Sequence, residues 1–355
     1  CNIRHILVRH EQSAAHMADG FGRVSRKPGV CFATSGPGAT NILTGIATAQ
    51  ADSSPMIAVT GQVPVAMIGK DAFQESDIIG MSNPVVKYAF QPRSPDEIPG
   101  VVRKGFYIAE TGRPGPVLID IPKDVQQKEA SMIFPDEFKI RGYHPWTDPD
   151  IVHIERAIEM LLSAERPIIL AGGGTIISSA FAELQSIAEL LMIPVVTTFK
   201  GKGAFPENHP LSLGPIGMHG HAEANKMMTE ADCVLAIGTR FSDRSVGTFE
   251  AFEKRLKIIH MDVDPAEIGK NQTTSVAVVG DVRASLRIMV KMLMQKVIKR
   301  TEENTWIKHV KETKEYWKEN LKLHPGEMGA AKILRKLREV LPHESIVTTE
   351  VGQHQ

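Results

Sequence analysis

The chain has little of what would mark a secreted, membrane-bound or nucleic-acid-binding protein. Its 355 residues include 3 cysteines. Cys1, Cys31 and Cys233 lie far apart, form no C-x-x-C pair and are odd in number, which argues against a disulfide framework or a zinc site. No apolar run approaches the roughly 20 residues that span a bilayer, and the start, with Arg4, His5, Arg9, His10 and Glu11, has no signal-peptide core. An excess of charge of one sign is missing too. The 41 basic residues balance 41 acidic ones, so nothing indicates a surface for a polyanion. The expectation is a soluble, cytoplasmic chain whose 42% hydrophobic residues suffice for two or three domains.

Residues 1–125 alternate short strand-like runs (Val30 to Ala33, Met56 to Thr60, Val117 to Ile121) with helical ones, the pattern of a parallel α/β layer. A polar, Pro-rich linker is expected over 126–150. A second α/β block follows over 151–283. It predicts helices at Ile151 to Ala164, Ser178 to Leu191 and Ala222 to Glu230, with strands at Pro167 to Ala171, Pro194 to Thr198, Cys233 to Ile237 and Leu256 to Asp262. Residues 284–323 read as a charged, solvated amphipathic helix or helix pair. From 324 to 355 a helix at Ala330 to Leu341 and a strand at Ser345 to Thr349 read as the start of a third domain.

Two local features carry chemistry. The run Gly29 to Ala33 opens into Thr34-Ser35-Gly36-Pro37-Gly38 before an apolar-periodic helix, Ala39 to Ala51. Gly36 and Gly38 permit close backbone approach, Pro37 fixes its own φ, and Ser35, Thr40 or Asn41 can cap or make polar contacts. The turn matches neither G-x-G-x-x-G nor G-x-x-x-x-G-K-[ST], and a purely structural βα turn is the alternative. Glu11 stands at the head of a helical pattern through Ala14, Ala15, Met17, Ala18 and Phe21, where a favourable dipole interaction would also explain it.

With Asp71-Ala-Phe-Gln-Glu75 and Gly112-Arg-Pro-Gly-Pro-Val-Leu-Ile-Asp-Ile-Pro-Lys-Asp124, these stretches resemble the pyrimidine-binding domain of thiamine diphosphate enzymes, and in detail the acetolactate synthase (acetohydroxyacid synthase) family. Gly217-Met-His-Gly220, Gly238-Thr-Arg-Phe-Ser-Asp-Arg244, His260-Met-Asp-Val-Asp-Pro265 and Val351-Gly-Gln-His-Gln355 continue the resemblance in the family's order across essentially the whole chain. It implies tandem doubly wound parallel-sheet domains of the thiamine diphosphate-enzyme fold, with the third truncated. The chain has no initial Met and closes inside the V-G-Q-H-Q motif, so an interior piece of a longer protein is expected. The Mg2+ ligands would then lie beyond Gln355 and none within the piece.

The resemblance further implies decarboxylation of pyruvate on thiamine diphosphate and addition of the hydroxyethyl carbanion to pyruvate or 2-ketobutyrate, in valine, leucine and isoleucine biosynthesis. Glu11 would hydrogen-bond the pyrimidine N1′, for which a desolvated carboxylate with a raised pKa is expected. Gly36, Pro37 and Gly38 would approach the cofactor. Phe73 would line the substrate channel, Gln74 would hydrogen-bond intermediates and Lys123 would be the channel lysine; an exposed strand-end lysine is the bland alternative for the last. Met218 and Arg244 would approach the reacting groups, with Arg244 suited to orient a 2-keto acid carboxylate; a salt bridge to Asp243 is its structural alternative. FAD, without a net redox role, would lie along Arg113, Gly172, Gly173, Gly174, His219, Gly220, Gly238, Thr239, Arg240, Asp262, Asp264 and Asp281. Gln353 and His354 would also meet cofactor. Many family members carry Asp where this chain has Ser242. Expected partners are 2-keto acids, a second copy of the chain and a small regulatory subunit. Competing readings are another thiamine diphosphate decarboxylase or oxidase, a nucleotide-binding protein without turnover, and a NAD-dependent oxidoreductase.

Overall fold

The structure is a computed structural model and describes residues 3–131, 133–135, 137–145, 148–246, 256–297, 303–320, 329–348 and 352. Two compact units divide the chain, residues 1–146 and 147–355.

In the first unit four parallel strands, β1 (Gly29–Ala33), β2 (Met56–Gln62), β3 (Tyr88–Phe90) and β4 (Pro116–Pro122), lie in the order β1-β2-β4-β3. Successive side chains of a strand face opposite ways, so the central strands β2 and β4 supply two cores. Met56, Ala58 and Leu118 pack with Ala15, Ala39 and Ile46 from the helices on one face, while Ile57, Val117 and Ile119 pack with Ile108 and Ala109 on the other. The helix predicted from Ala39 is two helices, Pro37–Asn41 and Leu43–Asp52, separated by Ile42. Part of the segment expected as linker is tied to this unit: the Tyr143 hydroxyl receives Lys87 Nζ at 3.0 Å and donates to the Thr111 carbonyl at 2.8 Å.

The second unit holds six parallel strands, β5 (Pro167–Ala171), β6 (Val195–Thr197), β7 (Ser212–Pro215), β8 (Cys233–Ile237), β9 (Lys257–Asp262) and β10 (Val276–Val279). Their order is β10-β9-β8-β5-β6-β7. The chain winds outward from β5 in one direction and then from β8 in the other, which makes the β5/β8 boundary a topological switch point. Ile169, Leu235 and Ile237 meet the helices Ile151–Ser163, Phe181–Leu191 and Val282–Lys296 on one face; Ile168, Leu170 and Val234 meet Ala222–Glu230 and Thr305–Asn320 on the other.

Two expectations change and one is met. The helix predicted from Ser178 begins earlier, at Gly173, and breaks between Ile177 and Phe181, because Ser179 turns to φ 58° and the Ala180 N–H closes on the Thr175 carbonyl. The amphipathic helix or helix pair expected over 284–323 is a pair, Val282–Lys296 and Thr305–Asn320, whose apolar faces, Leu286, Met289 and Leu293 on one and Trp306, Ile307 and Val310 on the other, are buried. Residues 345–348 form no strand, since a ladder needs a neighbour and none of the described strands lies beside them.

Candidate functional site

In parallel α/β sheets ligands meet the loops at the carboxyl ends of the strands, and the first unit's candidates emerge there except Arg113, which precedes β4 and lies at the amino ends. Gly36–Gly38 follow β1, Phe73 and Gln74 lie in the connection after β2, and Lys123 opens the short helix Lys123–Gln127 after β4. Glu11 is the first residue of the helix Glu11–Ser25, after His10, whose side chain accepts the Gln12 N–H at 3.1 Å.

The turn demands glycine at two points. Gly36 has φ 62° and ψ −119°, outside the range that suits a side chain, and a Cβ there would stand 2.9 Å from the Gln74 Cβ. At Gly38 a Cβ would stand 2.7 Å from Thr34 Cγ2 and 3.5 Å from Glu11 Oε1. The fold therefore brings the Glu11 carboxylate, the Gly36-Pro37-Gly38 backbone and Gln74 to one place. Asn41 Nδ2 donates to Glu11 Oε2 at 3.0 Å. Sequence reasoning placed Asn41 among several capping candidates; its partnership with Glu11 needed the fold, because 30 residues separate the two.

The raised Glu11 pKa is corrected. Donation from Asn41, aided by the helix's own backbone, holds the carboxyl below its ordinary value, and the side chain is not enclosed enough for desolvation to reverse this.

Phe73 is exposed and Gln74 sits at φ 60° in a loop organised by Glu75, whose carboxylate accepts the Gly69 and Ala72 N–H groups. Below the loop lies a polar network that sequence reasoning missed. Asp120 on β4 is fully buried and accepts Thr60 Oγ1 at 2.6 Å, Gln91 Nε2 at 2.8 Å and Gln62 Nε2 at 3.1 Å. Burial pushes its pKa up against these three donors. Gln62 Nε2 also reaches the Ser76 carbonyl at 2.9 Å, which ties the loop to the sheet. The one available signal was a polar residue inside an otherwise apolar strand, Val117-Leu-Ile-Asp-Ile121. Arg113 lies in this unit as well, with Nε donating to Ser53 Oγ at 2.8 Å.

In the second unit Gly172–Gly174 follow β5 and Gly238–Arg240 follow β8, on either side of the switch point. The glycines serve the close approach of these two loops. A Cβ on Gly172 would stand 2.1 Å from the Gly238 carbonyl oxygen, and one on Gly174 2.6 Å from Gly238 Cα, while the Gly174 N–H donates to the Gly238 carbonyl at 3.0 Å. Thr239 is buried, and its carbonyl meets His260 Nε2 at 2.8 Å; His260 Nδ1 is buried without a hydrogen-bond partner. Arg240 is exposed. Asp262 Oδ1 accepts the Asp264 N–H at 2.9 Å, and Asp264 in turn accepts from Ala266. Asp281 caps the helix Val282–Lys296 by accepting the Ala284 N–H at 2.8 Å, a structural duty the sequence reading did not assign.

Gly217, Met218, His219 and Gly220 form a turn after β7, with Met218 and His219 exposed. The Met218 N–H donates to the Arg244 carbonyl at 3.2 Å, and Arg244 Nη1 lies 3.7 Å from Met218 Sδ, so the two predicted neighbours do meet. Arg244 Nε is 3.6 Å from Asp243, a contact between two exposed side chains. Gln353 and His354 lie outside the described residues.

Comparison with known proteins decides the family. The profile "Thiamine pyrophosphate enzyme, N-terminal TPP binding domain" matches residues 1–81, and "Thiamine pyrophosphate enzyme, central domain" matches residues 154–289. The chain belongs to the thiamine pyrophosphate enzymes. It is 49% identical over 363 residues to a probable acetolactate synthase large subunit of Methanocaldococcus jannaschii, covering 100% of this chain and 61% of the relative. Acetolactate synthase large subunits of Parasynechococcus marenigrum and Corynebacterium glutamicum are 45% and 42% identical, each across 99% of this chain and 57% and 56% of theirs. The chain thus spans 56–61% of the length of these relatives. Within a thiamine pyrophosphate enzyme, the Glu11 carboxylate beside the Gly36–Gly38 backbone fits a heterocycle that presents ring nitrogens.

Proposed function

We propose that the protein to which this chain belongs is the large subunit of an acetolactate synthase. It would decarboxylate pyruvate and join the remaining two-carbon unit to pyruvate or 2-ketobutyrate, in branched-chain amino-acid biosynthesis. The observation that carries the reading is the convergence of Glu11, Asn41, the Gly36–Gly38 turn and Gln74 at the carboxyl edge of one sheet, in a chain homologous along its whole length to acetolactate synthase large subunits.

Bound thiamine diphosphate would supply the nucleophile and the electron sink for the carbanion. This chain's part is to bind and orient. Glu11 would hold a proton shared with the pyrimidine N1′, and Asn41 would keep the carboxylate aimed at it. Gly36 to Gly38 would leave the cofactor room against bare backbone, and Gln74 would donate to the oxygen substituents of the substrate. Phe73 would cover the channel from water and Lys123 would attract the keto-acid anion. Arg244, a planar fork of donors, would take the acceptor carboxylate with Met218 packing beside it. FAD, with a structural role, would meet Gly238–Arg240, Asp262, Asp264, His219 and Gly220 in loops after the second unit's strands. Mg2+, a cytoplasmic location, assembly of at least two copies and a small regulatory subunit belong to the same proposal.

The test is acetolactate formation from pyruvate by the full-length protein with thiamine diphosphate, Mg2+ and FAD. Glu11→Gln should lower turnover by about 100-fold, the scale of a lost proton-transfer partner. Arg244→Ala should shift the ratio of acceptors used. Release of CO2 without acetolactate would move the protein to a decarboxylase or oxidase, and tight nucleotide binding without turnover to a binding protein.

A further inference from the structure

We propose that Asn225 is a positioning residue for acceptor recognition: both ends of its amide clamp Gly217, and through Gly217 they set where Arg244 and Met218 stand. The inference rests on the proposed role of Arg244 in holding the acceptor carboxylate.

The clamp is two-pronged. The Gly217 N–H donates to Asn225 Oδ1 at 2.9 Å, and Asn225 Nδ2 donates to the Gly217 carbonyl at 3.0 Å. One side chain thereby occupies both backbone groups of one residue, a geometry that fixes the peptide planes on either side of it. Gly217 has φ 104°, and a Cβ there would stand 2.1 Å from the Arg244 carbonyl oxygen. The turn is therefore pressed against the backbone of Arg244. The next N–H, that of Met218, donates to the same Arg244 carbonyl at 3.2 Å, and Arg244 Nη1 reaches back to Met218 Sδ at 3.7 Å.

What makes Asn225 a strut is its own footing. It sits in the helix Ala222–Glu230, which is anchored in the core by Ala224, Met227 and Met228. The helix start is held to β7, where His221 Nδ1 lies 3.2 Å from the Leu213 carbonyl. The Met218 and Arg244 side chains, by contrast, are exposed, with Arg244 meeting Met218 Sδ and Asp243. The core reaches these backbones along the chain through buried Ile216 and Phe241, and Asn225 adds a side-chain tie at Gly217, next to Met218 and against the Arg244 carbonyl. Arg244 has a long side chain whose freedom must be curtailed if it is to meet a carboxylate with both prongs of its guanidinium.

Asn225 acts through another residue, so the test must separate positioning from stability. The full-length protein is compared with Asn225→Ala, Gly217→Ala, Arg244→Ala, the double variant Asn225→Ala/Arg244→Ala, and Lys226→Ala as a control on the same helix. Two readouts are used. The first is the rate at which phenylglyoxal modifies Arg244 without substrate, followed by peptide mass spectrometry. The second is KM for 2-ketobutyrate as acceptor, set against kcat. Asn225→Ala should raise the modification rate several-fold and raise the acceptor KM about tenfold, the scale of two lost neutral hydrogen bonds, with a smaller change in kcat. Gly217→Ala should move both in the same direction, and Lys226→Ala neither. In the Arg244→Ala background the Asn225→Ala change should add little to KM, because coupled residues do not add. Additive effects in the double variant, or an unchanged Arg244 modification rate in a folded Asn225→Ala protein, would overturn the proposal. If no variant, wild type included, makes acetolactate, the enzymatic reading fails, and the modification rate alone still decides whether Asn225 positions Arg244.

Discussion

At the residue scale, the site in the first unit combines one strained glycine with one polar contact. Gly36→Ala must force a side chain into φ 62° and against Gln74, so a loss of about 1–3 kcal/mol is expected in urea unfolding. Glu11 and Asn41 give a pH signature. The Glu11 carboxyl is held below its unfolded value, so the unfolded chain binds more protons across that window; the contribution is present above the unfolded pKa and lost as pH falls through the folded one. Asn41→Ala removes the main cause, and an acid titration of Glu11 by NMR should show its pKa rise toward the ordinary value. Asp120 has the opposite sign. Burial raises its pKa, so its contribution is greatest at low pH and declines as pH rises through the folded pKa. Asp120→Ala would leave Thr60, Gln62 and Gln91 with unmatched buried donors, and about 3 kcal/mol should disappear at neutral pH in the same unfolding experiment.

At the scale of elements, the βα loops depend on how nearly two backbones can touch. Gly172→Ala or Gly174→Ala would set a methyl 2.1–2.6 Å from the Gly238 backbone, which cannot move without shifting β8. Either change is expected to cost more than about 3 kcal/mol, measured as a lowered denaturant midpoint for the second unit, whether or not nucleotide is present. The Gly172-Gly173-Gly174 run, which the family resemblance assigned to FAD, therefore has a packing duty of its own. Local pattern did reveal the elements themselves. The strand Pro167–Ala171 and the helix Ala222–Glu230 begin and end where the periodicity and the flanking turns put them. It did not reveal the break at Ser179, where a backbone turn is fixed by the Thr175–Ala180 hydrogen bond, or the lack of a strand at 345–348, where pairing depends on a neighbour.

At the scale of the whole molecule, two units with separate cores imply separable responses. Ile46→Ala removes fully buried volume from the first unit and Leu286→Ala from the second, each at a cost of about 2–5 kcal/mol. Calorimetry should show Ile46→Ala lowering the melting of one transition and Leu286→Ala the other. By itself the sequence determined the α/β class, the parallel sheets and the family, because hydrophobic period, turn residues and motif order are properties of neighbours along the chain. It also named Glu11, the Gly36–Gly38 turn, Gln74, Met218 and Arg244. What only the tertiary structure decided is how these are held. Asn41 lies 30 residues from Glu11, Thr60 lies 60 from Asp120, and Met218 lies 26 from Arg244. Hydrogen bonds and burial act across space, and a lowered or raised pKa follows from which donors and how much water surround a carboxylate. Those neighbours exist only once parallel strands have aligned their carboxyl ends on one edge.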